Sequence, residues 1–333
     1  MISSGQMYHL IGTKSTDAKS ITNMIKPIFD ILVAGEINPD LILSGDVVPV
    51  FDQVEKLIDS AVLTIGSSSV IFACAAVRLG LKVAFVGVCG DDIFGKYMLA
   101  EMQKRGVDVS SVGILSGQKT GISIILARKT DRAILTFPGL ISALTSDAVT
   151  NDLLVQSRHL HVGSFFLQTA LQDGLPDLFD RAHGLGVTIS LDPNWDPSGS
   201  WSGFEDLLKQ VDVFLPNENE ALALTGVQDR GSAIKKLSHL CGLVTIKSGK
   251  QGAIARRGKE TIFLPALPVE VVDTVGAGDT FDAGFLFGYI NGWGLERSLR
   301  LAISCGSLST RAAGGTVAQP TLEEAMEYAP FIG

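Results

Sequence analysis

Residues 273–281 read Asp273-Thr274-Val275-Gly276-Ala277-Gly278-Asp279-Thr280-Phe281. They follow an extended apolar stretch, 269–272, and open a helix-forming one. Gly276 and Gly278 let backbone amides approach a ligand with no Cβ in the way. A helix start offers unsatisfied N–H groups and a partial positive charge, a combination that suits phosphate oxygens. Beside such a site Asp279 could take a proton from a hydroxyl. The plainer explanation is that Asp279 is only the N-cap of a helix after a glycine-rich turn.

Two nucleotide-binding motifs are ruled out. Residues 90–97 fit G-x-x-x-x-G-K, but Tyr97 stands where a P-loop needs Ser or Thr, and Asp91 and Asp92 repel phosphates. The Gly276–Gly278 pair lacks the third glycine of a dinucleotide fingerprint. His159 and His161 alternate at a strand start and read as structural. Arg256, Arg257 and Lys259 read as a solvated turn between strands. Trp195 and Trp201 suit either a sugar cleft or core packing. Phe281, Phe285 and Phe287 read as core.

The elements that must position these residues follow one rhythm. Short apolar runs at 31–34, 83–88, 160–162, 187–191, 211–215 and 243–246 read as parallel strands buried on both faces. Helical stretches at 68–79, 94–105, 171–185, 217–224 and 232–240 separate them. Two long helices, 278–291 and 295–312, close the chain. This alternation predicts a doubly wound α/β sheet with right-handed crossovers. Residues 41–65 and 112–137 break the rhythm and read as strands with polar turns. They predict a small β-sheet standing off the main domain as a lid.

Composition narrows the function. The 333 residues carry 27 Lys and Arg against 35 Asp and Glu, a net charge of -8. Such a chain repels nucleic-acid backbones and anionic membranes, so neither is an expected partner. With 46% hydrophobic and 19% charged residues it is not disordered. Mean hydropathy is +0.31, yet no apolar run approaches the ~18 residues of a spanning helix. Residues 1–26 are polar and lack the apolar core of a secretory signal. Residues 1–30 are therefore expected to form a loose leader. Cys74, Cys89, Cys241 and Cys305 have neither zinc nor disulfide spacing, which fits free thiols in a reducing cytoplasm.

The segment from Asp273 to Phe281, continued by Asp282-Ala283-Gly284-Phe285, resembles the C-terminal signature of the ribokinase-like (PfkB) carbohydrate kinases. The resemblance runs from about residue 31 to 320. Residues 35–40 look like the family's first strand with its sugar-binding Asn38 and Asp40. Residues 87–95 look like its N-terminal signature. Residues 191–194, with Asp192 and Asn194, resemble a segment lining the sugar site. Asn217 and Glu220 match its Asn-x-x-Glu, and residues 247–253 resemble its nucleotide-contacting turn.

The resemblance implies a three-layer α/β/α sandwich over residues 31–330, with a mostly parallel central sheet and a small β-sheet lid. It implies ATP-dependent phosphorylation of a sugar hydroxyl. Asp279 would be the base, and the amides of Gly276, Ala277 and Gly278 the anion hole. Glu220 would act through magnesium and its waters. Asn217, Lys247, Gly249, Gly252 and Gly306 fall on the nucleotide side. Asp273 would adjoin a monovalent cation such as K+. Open sheet edges on the lid make a homodimer through the lid plausible.

Some residues depart from the family pattern. Gly66 is followed by Ser67 rather than a second glycine, and Ile71 stands where an Asn often contacts sugar. Gly66 and Ser67 are still expected at the sugar. No Lys follows Gly66 and none adjoins Asp40, which disfavours a phosphorylated substrate. Asp196 stands where ketodeoxygluconate and fructose kinases often carry Arg, and its lack disfavours a carboxylate-bearing sugar. Two alternatives stay open: a nucleoside kinase of the same fold, and a non-catalytic sugar or nucleotide sensor.

Overall fold

A computed structural model describes residues 27–331 except 129, 130 and 202. The expected leader lies outside the described residues up to residue 26. The strands, in chain order, begin with β1 (Phe29–Ala34), β2 (Pro39–Ser44), β3 (Ser60–Ile65), β4 (Val83–Val86) and β5 (Val88–Gly90). Next come β6 (Gly113–Leu115), β7 (Ile122–Ala127), β8 (Arg132–Phe137), β9 (Ser157–Val162) and β10 (Thr188–Leu191). The last are β11 (Val213–Phe214), β12 (Leu243–Lys247), β13 (Ala253–Arg257) and β14 (Glu260–Leu264).

Eight of them form the main sheet in the order β14-β13-β12-β11-β10-β9-β1-β4. The six from β12 to β4 are parallel, and β13 and β14 add an antiparallel edge. The two-residue period of a strand explains the three layers. Ile31 and Val33 of β1 join a core with the helices Ser68–Arg78, Ala277–Ile290 and Leu295–Ser309. Leu32 and Ala34 point the other way, into a core with the helices Leu175–Gly184 and Arg230–Leu237. Burial on both faces is why these strands read as unbroken apolar runs.

A separate four-stranded sheet has the order β3-β2-β7-β8. Its register puts Asp40, Thr64, Ser123, Thr136, Ile134 and Arg132 on one face. Leu41, Leu43, Leu63, Ile124, Leu126 and Leu135 share the other, which is wholly apolar.

Three expectations need correction. The run 83–88 is not one strand: β4 ends at Val86, and β5 pairs instead with β6 in a two-stranded ribbon. That pairing takes 113–115 out of the small sheet. The stretch 171–185 is two helices, Thr169–Gln172 and Leu175–Gly184, broken at Asp173-Gly174, with Pro176 in the first turn of the second. Other expectations stand. His159 and His161 are buried and share the Ser190 hydroxyl, and all four cysteines are buried and unpaired. No helix among the described residues is long and apolar enough to cross a membrane.

Candidate active site

The sequence-expected residues meet at the C-terminal ends of the parallel strands, where open α/β sheets bind ligands. A cavity of about 780 Å³ is lined there by Asp192, Asn194, Asn217, Glu220, Lys247, Gly249, Gly252, Ala277, Gly278, Asp279 and Gly306. Asn38, Asp40, Gly66, Ser67, Gly276 and Asp273 do not line it. The first four lie where the chain passes between the main sheet and the small-sheet strands β2 and β3.

Helix Ala277–Ile290 starts on Gly276, not on Asp279. Gly276 has φ +71°, and a Cβ there would come 2.8 Å from Ile71 and 2.9 Å from Gly315. Only glycine fits that left-handed, crowded cap. Asp279 is thus in the first helical turn and free of capping duty. Ile71, which replaces an expected polar sugar contact, is 3% exposed and packs beneath this loop instead. Asp273 organises the same loop. Its carboxylate accepts from the Val275 amide at 3.1 Å and the Gly314 amide at 2.9 Å.

Burial pushes Asp279 well above the usual carboxylate range, and Asp192 adds to the rise. Lys247 and a hydrogen bond from the Ser68 hydroxyl oppose it. Lys247 reaches in from the end of β12. Its Nζ lies 2.9 Å from Asp192 Oδ2 and 2.8 Å from Asp282 Oδ2. Burial alone would raise Asp192, but Lys247 takes it below its ordinary value. Asp282 is held well above its own range by burial, despite Lys247.

Glu220 accepts from both the backbone and the side chain of Asn217, closing a capping box on helix Glu218–Thr225. Burial, with Asp192, pushes Glu220 up to about 7. A cation here would relieve that uncompensated charge. Among the described residues no group of three His, Cys, Asp or Glu side chains could hold a metal. A single carboxylate suits magnesium, which keeps its waters and binds substrate phosphates.

On the opposite wall, Asn38 Nδ2 lies 3.5 Å from Ser123 Oγ on the small sheet. Burial raises Asp40 to about 7 against the pull of Arg132. Gly66 is required here, because a Cβ would collide with the Asp40 carboxylate. Ser67 takes φ +66°. Its hydroxyl is within 2.7 Å of Glu36 O and 2.9 Å of Glu36 Oε1, so it faces the scaffold. Asn194 also serves the scaffold: Nδ2 donates to Ser68 and Ser164, both at 3.1 Å.

Sequence reasoning missed Glu36, Ser68, Asp282 and Arg132. Glu36 is 3% exposed and binds the hydroxyls of Ser67, Ser69 and Ser164. Its signal was a lone acid at the end of an apolar strand. Asp282 is the second acid of a mostly apolar helix, one turn after Asp279. Arg132 falls in the stretch read as strands with polar turns; its guanidinium lies 3.9 Å from Asp273.

The chain is similar to known proteins over most of its length. The family described as pfkB family carbohydrate kinase matches residues 30–322. Ribokinase of Haemophilus influenzae is 31% identical over 306 residues, 89% of this chain and 97% of that protein. The 2-dehydro-3-deoxygluconokinase of Bacillus subtilis is 31% identical over 77% of this chain and 83% of its own length. Adenosine kinase of Sinorhizobium meliloti, a solved structure, superposes with a TM-score of 0.80 at 25% identity, covering 90% of this chain and 99% of that one. The chain belongs to the pfkB family of carbohydrate kinases. Its enzyme class is that of an ATP-dependent carbohydrate kinase.

Proposed function

We propose that the chain transfers the γ-phosphoryl group of ATP to a hydroxyl of a small uncharged sugar, with Asp279 as the base. The supporting observation is the placement of Asp279. It sits in the first turn of helix Ala277–Ile290, in one cavity with Glu220 and Asp192, and is not used as a cap. The amides of Gly276, Ala277 and Gly278 point their dipoles at the transferring group and offset its charge. Asp279 takes the proton as the hydroxyl attacks in line.

Glu220 would hold magnesium through water, with Asn217 orienting its carboxylate. Magnesium held there would supply positive charge against the phosphates. Gly249, Gly252 and Gly306 would line the nucleotide side. A monovalent cation at Asp273 is less well served, because Arg132 already brings positive charge to that carboxylate. On the acceptor side Asn38 and Asp40 would bind sugar hydroxyls, with Gly66 and Ser67 framing them through their backbone. The small sheet would act as a lid that excludes water. A nucleoside acceptor is the second reading, supported by the likeness to adenosine kinase.

The outer face of that sheet supports a homodimer. Leu63, Leu135 and Phe137 are 39%, 58% and 53% exposed on a face with no polar side chain between them. A second copy, face to face, would cover it. Four free buried thiols favour a reducing compartment such as the cytoplasm. The function is tested by ADP release with magnesium-ATP across a panel of sugars and nucleosides.

A further inference from the structure

Lys247 fell among the expected nucleotide contacts, yet its ammonium is already engaged. It is bonded to Asp192 and Asp282, and its side chain is 12% exposed. The Lys247 chain also passes directly behind the anion hole: a Cβ on Gly278 would lie 3.7 Å from Nζ. A buried cation spanning two strand-and-helix ends is unusual, because desolvation works against it. Only strong local negative charge keeps it there.

That charge is abundant. Asp192, Glu220 and Asp279 line the cavity, and Asp282 lies just beneath. Glu36 and the Ser68 hydroxyl also face Asp279. His161 lies close by and is neutral, its pKa lowered to about 3 by burial. Among the residues lining the cavity the only other cation is Lys250, which is exposed. One carboxylate oxygen of the cluster, Asp282 Oδ1, is buried with no N–H or hydroxyl donor, and the Asp282 carboxyl is hydrogen-bonded to Asp192. Burial holds Asp282 well above its ordinary range, so it donates its proton to Asp192 and leaves Lys247 and Asp192 as the ionised pair.

We propose that Lys247 is a positioning residue that holds Asp192 and Asp282 beneath the anion hole and supplies the counter-charge that lets Asp279 act as an ionised base. It does this without touching the nucleotide. This rests on the reading of Asp279 as the base. Removing the ammonium leaves Asp192 as an uncompensated charge beside Asp279, so Asp279 would hold its proton to higher pH. Removing the Asp192 charge as well restores the balance.

The test compares Lys247→Met with Lys247→Met/Asp192→Asn, with Asp279→Asn alongside. The reaction is magnesium-ATP turnover with D-ribose as acceptor, or with water alone if D-ribose gives none. The readout is kcat/KM for magnesium-ATP against pH, with melting temperature as a check of folding. Lys247→Met should move the acidic limb upward by about one to three pH units. The double variant should bring the limb back toward the wild-type position, even with turnover reduced. It also carries the test if the single variant folds poorly, since it buries no unpaired charge. A limb unmoved in Lys247→Met, or left shifted in a folded double variant, overturns the proposal while Asp279→Asn stays inactive. Turnover that survives Asp279→Asn, or no Asp279-dependent turnover at all, overturns the base and this proposal together.

Discussion

The Ser69 hydroxyl donates a 2.6 Å hydrogen bond to Oε2 of Glu36, tying the end of β1 to the first turn of helix Ser68–Arg78. Ser164 donates to the other oxygen of the same carboxylate at 3.0 Å. One buried acid thereby sets the spacing of three chain segments that frame the site.

Glu36→Ala should therefore cost stability, about 1–3 kcal/mol for each donor left without an acceptor. Chemical denaturation measures this. KM for the acceptor should rise too, because Ser67 and Ser69 would no longer be held. A variant as stable as the wild type would show that Glu36 is not a keystone of this wall.

At Gly66 the constraint is steric. Gly66→Ala drives a methyl group into the Asp40 carboxylate. The expected result is a cost of about 1–3 kcal/mol from overpacking. It should come with a higher acceptor KM and little change in ATP affinity. Calorimetry of ATP binding separates the two.

Asp40 and Glu220 are both raised to about 7 by burial, from 3.8 and 4.5. For acids whose folded pKa is raised, the folded state binds more protons than the unfolded one between those values. Their contribution to stability is thus intact below about pH 4 and declines as pH rises toward 7. Melting temperature without ligands should reflect this decline, and Asp40→Asn and Glu220→Gln should each flatten it. Magnesium-ATP should recover part of the loss at neutral pH in the wild type but less in Glu220→Gln.

How much of this was readable in the chain depends on sequence distance. The Asp273–Asp279 segment is legible because its glycines and acid lie within seven residues and their chemistry is local. The layers are legible because β4 and residues 31–34 of β1 are buried on both faces and therefore lack polar alternation. Glu36 and Asp282 are silent for the opposite reason. Glu36 meets Ser164 across 128 residues, and Asp282 meets Lys247 across 35. An acid in an apolar run shows no partner until the chain folds. Ser67 and Asn194 were matched to the sugar by residue type, but their polar groups face Glu36, Ser68 and Ser164. The split after Val86 was hidden because 83–88 is apolar throughout, and only the pairing of β5 with β6 reveals it.

The apolar outer face of the small sheet makes a separate prediction. Leu135→Glu places a charge on that face, on its edge strand β8. Light scattering should find the wild type as a dimer and the variant as a folded monomer. A wild type that is monomeric at high concentration would rule out the lid-to-lid homodimer.

The central claim is that Asp279 removes the proton of an acceptor hydroxyl. It is tested most directly by ADP release from magnesium-ATP with a panel of pentoses, hexoses, sugar acids and nucleosides, wild type against Asp279→Asn. The account predicts that one sugar stimulates the wild type. In Asp279→Asn that turnover should fall by about 10²–10⁴-fold, the usual contribution of general base catalysis, with ATP still bound. Stimulation that persists in Asp279→Asn would contradict it.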